Sequence, residues 1–388
     1  MIQPRRICIV TGSRAEYGIL YWLIREVSED PELQLQLIAT GMHLAPDFGL
    51  TYKAIEADGF RIDRKVEMLL ASDSAAGVVK SVGLGVIGFA DALAELQPDV
   101  VVVLGDRFEI MAAAQAAFLS GIPLAHISGG EVTEGALDDV MRHVITKLSR
   151  YHFVAAEPYR RRVIQLGEVP ESVFDVGDPG LDNVARLTLL TREALASVLD
   201  FDISGPFLLV TYHPVTAGAE DAAAGMRAML EALDEFPEHR LLMTRPNADQ
   251  GGRQIAHMLD EYAASRADRV RIATSLGQLN YLSAMRHCDA VVGNSSSGIV
   301  EAPAMHIPTV NIGLRQKGRL RATSIIDCEE NSEAIAGALH RALSAEFRAI
   351  AAQTESRYGD SSASTKIRSI LKRVDLTRHV SKAFYDCQ

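Results

Sequence analysis

The segment with the clearest chemical content is the run GNSSSGIVE at residues 293–301. It follows an apolar run, 289–292, which predicts a buried strand, and it leads into a helix start. A strand, a turn of small residues and a helix start direct backbone N–H groups and serine hydroxyls to one point, which favours an anion such as phosphate. Glu301 falls on the first turn of that helix, where a carboxylate can reach a ribose diol. Taken alone, the segment is equally compatible with a serine-rich turn that only caps a helix.

Two motifs in the first half of the chain place arginine after apolar runs. The loop TGSRAEYG, residues 11–18, lacks the GxGxxG spacing and the Walker lysine, and Arg14 within it is suited to a phosphate or carboxylate. In LGDR, residues 104–107, Asp106 can act as a base and Arg107 can hold a phosphate. The alternatives are a surface arginine at a helix cap for Arg14 and an internal ion pair for Asp106 and Arg107.

Several titratable residues follow the next apolar run. The motif HISGGE, residues 126–131, ends in Glu131, and Asp138, Asp139 and His143 come shortly after it. Crowded carboxylates acquire the shifted pKa that proton abstraction from a weak carbon acid requires. Asp139 and His143, four residues apart, share a helix face. The spacing matches no metal motif, so we expect no metal site, and the alternative for each single carboxylate is a helix cap.

The second half of the chain contributes further polar strand ends. His213, in YHPVT, lies in an extended loop before proline and can donate to a phosphate or move a proton near neutral pH. Asn247, in RPNAD, follows another apolar run. Arg315 opens a loop with three cations that can pair with a diphosphate. A structural histidine and a solvated basic loop are the alternatives. No nucleophile elbow and no kinase motif set is present in the sequence.

The elements that position these residues are predicted to be parallel sheets. The reason is that short β-branched runs alternate with longer helical patterns along the chain. In the first half the predicted strands are 7–11, 35–40, 100–104, 123–127, 153–155 and 173–176, and the predicted helices are 17–29, 74–96, 109–119 and 137–150. In the second half the predicted strands are 207–211, 241–244, 270–273, 290–292 and 309–312. A last helical pattern covers 364–374.

The alternation predicts an α/β protein of two Rossmann-like, doubly wound domains that face each other across a cleft. We expect the first domain at 1–180, with a C-terminal helix in 364–388 that crosses back to it, and the second, nucleotide-binding domain at 200–363. In such sheets ligands bind beyond the carboxyl ends of the strands, where all the motifs above are found.

Composition limits the function classes. The chain has 388 residues, a net charge of −11 and no block of Lys or Arg, which argues against a nucleic-acid groove. The four cysteines are scattered, which is typical of a reduced cytoplasmic protein. The apolar stretch 110–127 is interrupted by polar residues and proline, so we expect no membrane span there.

Six motifs in order, TGSRAEYG, LGDRFE, HISGGEVTEGALDDVMRH, YHPVT, RPNAD and GNSSSGIVEAP, resemble the hydrolysing UDP-N-acetylglucosamine 2-epimerases of sialic and legionaminic acid biosynthesis. The resemblance covers residues 7 to about 327. It implies a GT-B-like pair of Rossmann-like domains, no cofactor and no obligatory metal, a UDP-sugar substrate, and a homodimer or homotetramer. The implied reaction removes the C2 proton, eliminates UDP to give a glycal, and adds water with inversion at C2.

The resemblance also implies roles for single residues. The predicted proton-transfer groups are Asp106, Glu131, Asp138 and His213. The predicted substrate and nucleotide contacts are Arg14, Arg107, Asn247, Ser295, Ser296, Glu301 and Arg315. Several relatives carry glutamate where this chain has Ser128, so Glu131 takes that role here, or the water-addition step or the sugar differs. The alternative function is a two-domain UDP-sugar glycosyltransferase, which would release UDP only with an acceptor present.

Overall fold

The computed structural model describes residues 3–72, 74–133, 137–213, 222–245, 252–274, 276–376 and 382–387. The chain divides into two compact units. The first unit comprises Met1–Glu131, Leu137–Asn183 and Tyr358–Gln388, and the second unit comprises Val132–Ala136 and Val184–Arg357. The boundaries of the two functional domains given above stay a prediction.

The first unit is built on a parallel sheet of seven described strands, which pair in the order β3-β2-β1-β4-β5-β6-β7. The strands are β1 (Arg5–Thr11), β2 (Leu33–Thr40), β3 (Arg64–Val66), β4 (Val100–Leu104), β5 (Leu124–Ile127), β6 (Tyr151–Val154) and β7 (Val173–Asp175). The order reverses between β1 and β4, as in doubly wound folds. Strand β4 is buried along its whole length, as expected for a strand covered by helices on both faces.

Helices cover both faces of this sheet and bury two apolar clusters. They are α1 (Arg14–Glu29), α2 (Tyr52–Ala57), α3 (Ala75–Leu96), α4 (Phe108–Leu119), α5 (Leu137–Leu148), α6 (Glu157–Gln165), α7 (Gly180–Arg186), which leads towards the second unit, and α15 (Ala363–Leu371). The predicted return of the C-terminal helix to the first domain is confirmed, since α15 packs on α1 and buries Ile367 and Leu371.

The second unit repeats this topology with six described parallel strands in the order β10-β9-β8-β11-β12-β13. The strands are β8 (Phe207–Thr211), β9 (Arg240–Thr244), β10 (Val270–Ala273), β11 (Ala290–Gly293), β12 (Thr309–Ile312) and β13 (Ile325–Cys328). The helices are α8 (Arg192–Leu199), α9 (Ala222–Asp234), α10 (Gly252–Ala264), α11 (Gly277–His287), α12 (Glu301–Ala304), α13 (Ser332–Leu343) and α14 (Ala345–Ala352).

The predicted α/β class with two doubly wound parallel sheets is confirmed, and the predicted elements lie within a few residues of those observed. Strands β3 and β13, at the sheet edges, were not predicted. Among the described residues one helix, α3, is long and apolar enough to cross a membrane. It packs along α4 and buries Phe89 and Leu93, while Val79 and Ile87 on its other side are exposed.

Candidate functional site

In the first unit, the loops after β1 and β4 lie at the point where the strand order reverses. This position is the usual ligand site of a doubly wound sheet. Gly105, with a φ of +77°, turns the chain out of β4, and the next residue is Asp106. The sequence motif after β4 therefore opens at the predicted edge of the sheet.

Asp106 is held by an arginine from α5. The guanidinium of Arg142, which is only 4% exposed, donates a hydrogen bond to Oδ2 of Asp106 and lies 3.5 Å from Oδ1 of Asp139. Nε2 of His143 lies 3.7 Å from Oδ2 of Asp139, so these two residues share a helix face as predicted. The network fixes the orientation of the Asp106 carboxylate.

His126, near the end of β5, contacts the loop that follows β4. Its Nε2 is 2.8 Å from the carbonyl oxygen of Gly105, and its Nδ1 is 3.1 Å from the hydroxyl of Thr146. Burial lowers the pKa of His126 to about 3, so the ring is neutral at pH 7. Nε2–H therefore donates to the carbonyl of Gly105, while the Thr146 hydroxyl beside Nδ1 also lies 3.0 Å from the carbonyl oxygen of Arg142, to which it donates.

Arg107, the residue before α4, forms an internal ion pair. Its Nε is 2.7 Å from Oε1 of Glu109 and 4.0 Å from Oε1 of Glu16. Burial alone would lower the pKa of Arg107, but the carboxylates of Glu109, Glu16 and Asp138 raise it above its usual value. The ion pair that was an alternative in the sequence is therefore present, and the phosphate role of Arg107 stays a prediction.

Glu16 and Glu109 form a carboxylate pair that the sequence did not indicate as a site. Oε2 of Glu16 accepts a hydrogen bond from the backbone N–H of Gly12 at 2.7 Å. Oε1 of Glu16 and Oε2 of Glu109 are buried without a hydrogen-bond partner among the described residues. Burial and the neighbouring Glu109 raise the pKa of Glu16 to about 8, because two buried carboxylates share one arginine.

The other first-unit candidates differ in exposure. Glu131 is 3% exposed after the Gly-Gly turn, whereas Asp138, in the first turn of α5, and Arg14, in the first turn of α1, are exposed. Ser128 has a φ of +65°, a conformation that costs a non-glycine residue energy and often occurs at functional sites. Within the described ranges, no three His, Cys, Asp or Glu side chains are grouped as a metal site would require.

In the second unit, Asn294 connects the two loops at the reversal point between β8 and β11. Its side chain accepts from the backbone N–H of His213 at 2.7 Å and donates to the carbonyl of His213 at 2.8 Å. Gly293 precedes it with a φ of +130°, and a Cβ there would overlap the carbonyl oxygen of Thr211. The close approach of the two strand ends therefore requires glycine at 293.

His213 and Arg315 lie beside this connection. Burial and the charge of Arg315 lower the pKa of His213 to about 3, so the ring is neutral at pH 7 and suited to donating an N–H group. The predicted cationic loop reaches the serine turn, since Nη1 of Arg315 donates to the carbonyl of Asn294 at 3.0 Å. Gln316 donates to the same oxygen at 2.9 Å.

The serine turn itself is a single 3-10 turn, Ser296–Gly298. Ser295 is partly exposed, Ser296 is exposed, and Ser297 is mostly buried. Glu301 opens α12, which has only four residues, so a helix dipole adds little to anion binding at this segment. The donors that remain are hydroxyls, backbone N–H groups and Arg315.

Glu301 is partly exposed, and burial raises the pKa of its carboxyl while nearby Arg319 opposes that increase. Asn247 lies outside the described residues. Sequence reasoning gave no role to four residues of these loops, namely Arg142, Glu16, Glu109 and Asn294. Only Arg142 left a usable signal, because it follows Asp139 by three residues on a helix.

Comparison with known proteins gives consistent matches. The family model described as UDP-N-acetylglucosamine 2-epimerase matches residues 25–372. A Campylobacter jejuni protein named GDP/UDP-N,N'-diacetylbacillosamine 2-epimerase (hydrolyzing) is 42% identical, with 85% of this chain and 86% of that protein covered. A Legionella pneumophila protein named UDP-N,N'-diacetylbacillosamine 2-epimerase (hydrolyzing) is 34% identical, with 96% and 97% covered.

The fold matches solved structures as well. The Neisseria meningitidis UDP-GlcNAc 2-epimerase bound to UDP-GlcNAc superposes with a TM-score of 0.82 at 18% identity, covering 94% of this chain and 99% of that one. At this identity the match concerns the two-domain α/β fold alone.

Proposed function

The chain belongs to the UDP-N-acetylglucosamine 2-epimerase family and is a hydrolysing 2-epimerase of a UDP-N-acetylglucosamine-type nucleotide sugar; we propose that its substrate is the N,N'-diacetylbacillosamine nucleotide. Two relatives that match most of the chain carry this sugar in their names.

The proposed reaction has two stages. A carboxylate removes the C2 proton, the C1–O bond breaks with its electrons leaving on UDP, and a 1,2-unsaturated glycal forms. Water then adds its oxygen to C1, while a proton is delivered to C2 on the opposite face. The products are UDP and the free sugar with inverted C2.

The observation that carries this proposal is the fixed carboxylate at the reversal point of the first sheet. Asp106 is oriented by Arg142, and proton abstraction from carbon needs a carboxylate held in one geometry. We propose Asp106 and Asp138 as the proton-transfer pair, with Glu131 assisting water addition. His213, neutral at pH 7, supplies an N–H donor to the leaving phosphate.

The second unit supplies the groups that suit a nucleoside diphosphate. Ser295 and Ser296 lie in the serine turn, the guanidinium of Arg315 contacts the adjacent carbonyl of Asn294, and we propose Glu301, at the start of α12, as the contact to the ribose diol. The remaining proposed substrate contacts are Arg14, Arg107 and Asn247.

The test is to incubate the purified protein, without any acceptor, with UDP-N,N'-diacetylbacillosamine, its GDP counterpart and UDP-N-acetylglucosamine. We expect UDP release, a 2-epimerised free sugar with one deuterium at C2 in D2O, and the highest kcat/KM with the diacetamido UDP-sugar. Preference for UDP-N-acetylglucosamine would overturn the substrate proposal alone. UDP release that requires an acceptor would instead indicate the glycosyltransferase, and release from no substrate would overturn the function.

We also propose that the protein is a cytoplasmic homodimer or homotetramer that associates through the first unit. Helices α3, α4 and α5 pack side by side and expose large apolar side chains, namely Val79, Ile87, Leu119, Leu137 and Val140. A set of exposed large apolar side chains on neighbouring helices favours an interaction surface. A second copy of the chain is the occupant that fits the predicted oligomer.

A further inference from the structure

Three hydroxyl groups in the second unit form a chain that ends at the serine turn. The phenol oxygen of Tyr281, on α11, lies 2.6 Å from Oγ of Ser297. The hydroxyl of Ser297 donates to Oγ of Ser295 at 3.0 Å. The backbone N–H of Ser297 donates to the same Ser295 oxygen at 3.4 Å.

The number of protons on each hydroxyl fixes the direction of these hydrogen bonds. A hydroxyl has one proton to donate, and Ser297 uses its proton on Ser295. In the contact with Ser297 the donor is then Tyr281, and the hydroxyl of Thr211, the other partner of the phenol, donates to the phenol oxygen. Ser295 accepts two hydrogen bonds from within the turn, so its own proton points away from these partners. Because Ser295 is partly exposed, that proton is available to a ligand.

We propose that Tyr281 is a positioning residue of the nucleotide site, which aligns the Ser295 hydroxyl as a donor to a phosphate oxygen of the bound diphosphate. The inference rests on the proposed function in that it takes the serine turn as the diphosphate site. Each hydroxyl that accepts a hydrogen bond becomes a better donor, so each bond strengthens the next one along the row of hydroxyls. These linked hydroxyls therefore determine both the direction in which the Ser295 hydroxyl points and its strength as a donor.

The surroundings of Tyr281 keep its proton in place. Burial is the largest influence on the Tyr281 phenol and raises its pKa above the usual value. The phenol is thus a donor across the working pH range. Its ring packs against the apolar cluster that includes Leu282 and Met285, and phenylalanine would keep this packing.

The test is Tyr281→Phe, measured by calorimetric titration with UDP and with uridine. We expect the Kd for UDP to rise about 10-fold, the effect of one hydrogen bond to a charged group. The Kd for uridine should stay unchanged, because the Ser295 hydroxyl binds a phosphate oxygen and uridine has no phosphate. A loss that came only from a distorted fold would weaken both ligands equally.

Two further variants complete the test. Tyr262→Phe is the matched control, since that phenol donates to Asp234 in the same unit at 2.8 Å and lies outside the chain of hydroxyls. Ser295→Ala should weaken UDP binding as Tyr281→Phe does, and the double variant should lose no more than either single one. Additive losses, or a Tyr281→Phe variant that binds UDP like the wild type, would overturn the inference. A wild-type protein that binds no UDP would overturn the proposed function instead.

Discussion

Replacing Glu16 by glutamine should stabilise the protein at pH 8 and leave it unchanged at pH 4.5. Glu16 shares the charge of Arg107 with Glu109, so one of the two buried carboxyls holds a proton. Glutamine reproduces the shape of the protonated acid, and its side-chain oxygen can still accept from the N–H of Gly12. The variant therefore keeps the contacts and removes the titration.

The size of the effect comes from the pKa of Glu16, which is raised from 4.5 to about 8. A carboxyl whose pKa is raised by folding binds its proton more tightly in the folded state than in the unfolded state. Its contribution to stability is thus complete below pH 4.5 and is lost as the pH rises to 8. At about 1.4 kcal/mol per pH unit, the loss is at most about 5 kcal/mol.

The assay is urea unfolding from pH 4.5 to pH 8, followed by tryptophan fluorescence. Trp22, the one tryptophan of the sequence, lies on α1 with Glu16, so the signal reports on the first unit. Glu29→Gln, an exposed position on the same helix, is the matched control and should follow the wild type. Parallel curves for Glu16→Gln and the wild type would refute the reasoning.

Three further outcomes follow from the geometry. Asp106→Asn should abolish turnover while its affinity for UDP stays within about twofold of the wild type, whereas Glu301→Ala should weaken UDP binding first. Calorimetry measures the affinity for UDP, and the UDP-release assay measures turnover. Equal losses of UDP affinity in the two variants would contradict these roles. Gly293→Ala should destabilise the second unit by about 2–6 kcal/mol in urea unfolding, because the φ of +130° and the carbonyl of Thr211 exclude a Cβ. Ile87→Lys should yield a monomer in size-exclusion chromatography with light scattering, and a monomeric wild type would disprove the interface.

Matched variants separate these effects from general damage. Gly337→Ala, in the middle of α13 with open space around the added Cβ, should stabilise the protein by up to about 1 kcal/mol. Val198→Lys changes an exposed apolar residue of α8 in the second unit and should leave the oligomeric state unchanged.

Most of the fold could be predicted from the sequence because buried parallel strands are continuous apolar runs. Strands β8, β10 and β12 were predicted with their observed bounds. Strand β3 was missed, since Arg64-Lys65-Val66 is a short edge strand whose pairing with β2 depends on tertiary contacts. Strand β13 is likewise a short edge strand, and the sequence offers no periodicity over four residues.

The sequence predicted which loops form the candidate site, but not the contacts that their side chains make. Apolar runs followed by polar residues located the ends of β4, β8 and β11, but they gave no information on partners. The pairing of Glu16 with Arg107 joins α1 to the loop after β4, and the contact of Tyr281 with Ser297 joins α11 to the serine turn. Such contacts depend on sheet order, which is a property of the assembled fold.

The return of α15 to the first unit has a consequence for synthesis of the protein. A ribosome completes the second unit, up to Arg357, before Ile367 and Leu371 are made. Until then α1 lacks the helix that packs on it, and Arg5 lacks the carbonyl of Leu371 that it contacts at 3.0 Å. The first unit is thus completed only after the second, and a nascent chain exposes the apolar surface of α1 until α15 has been made.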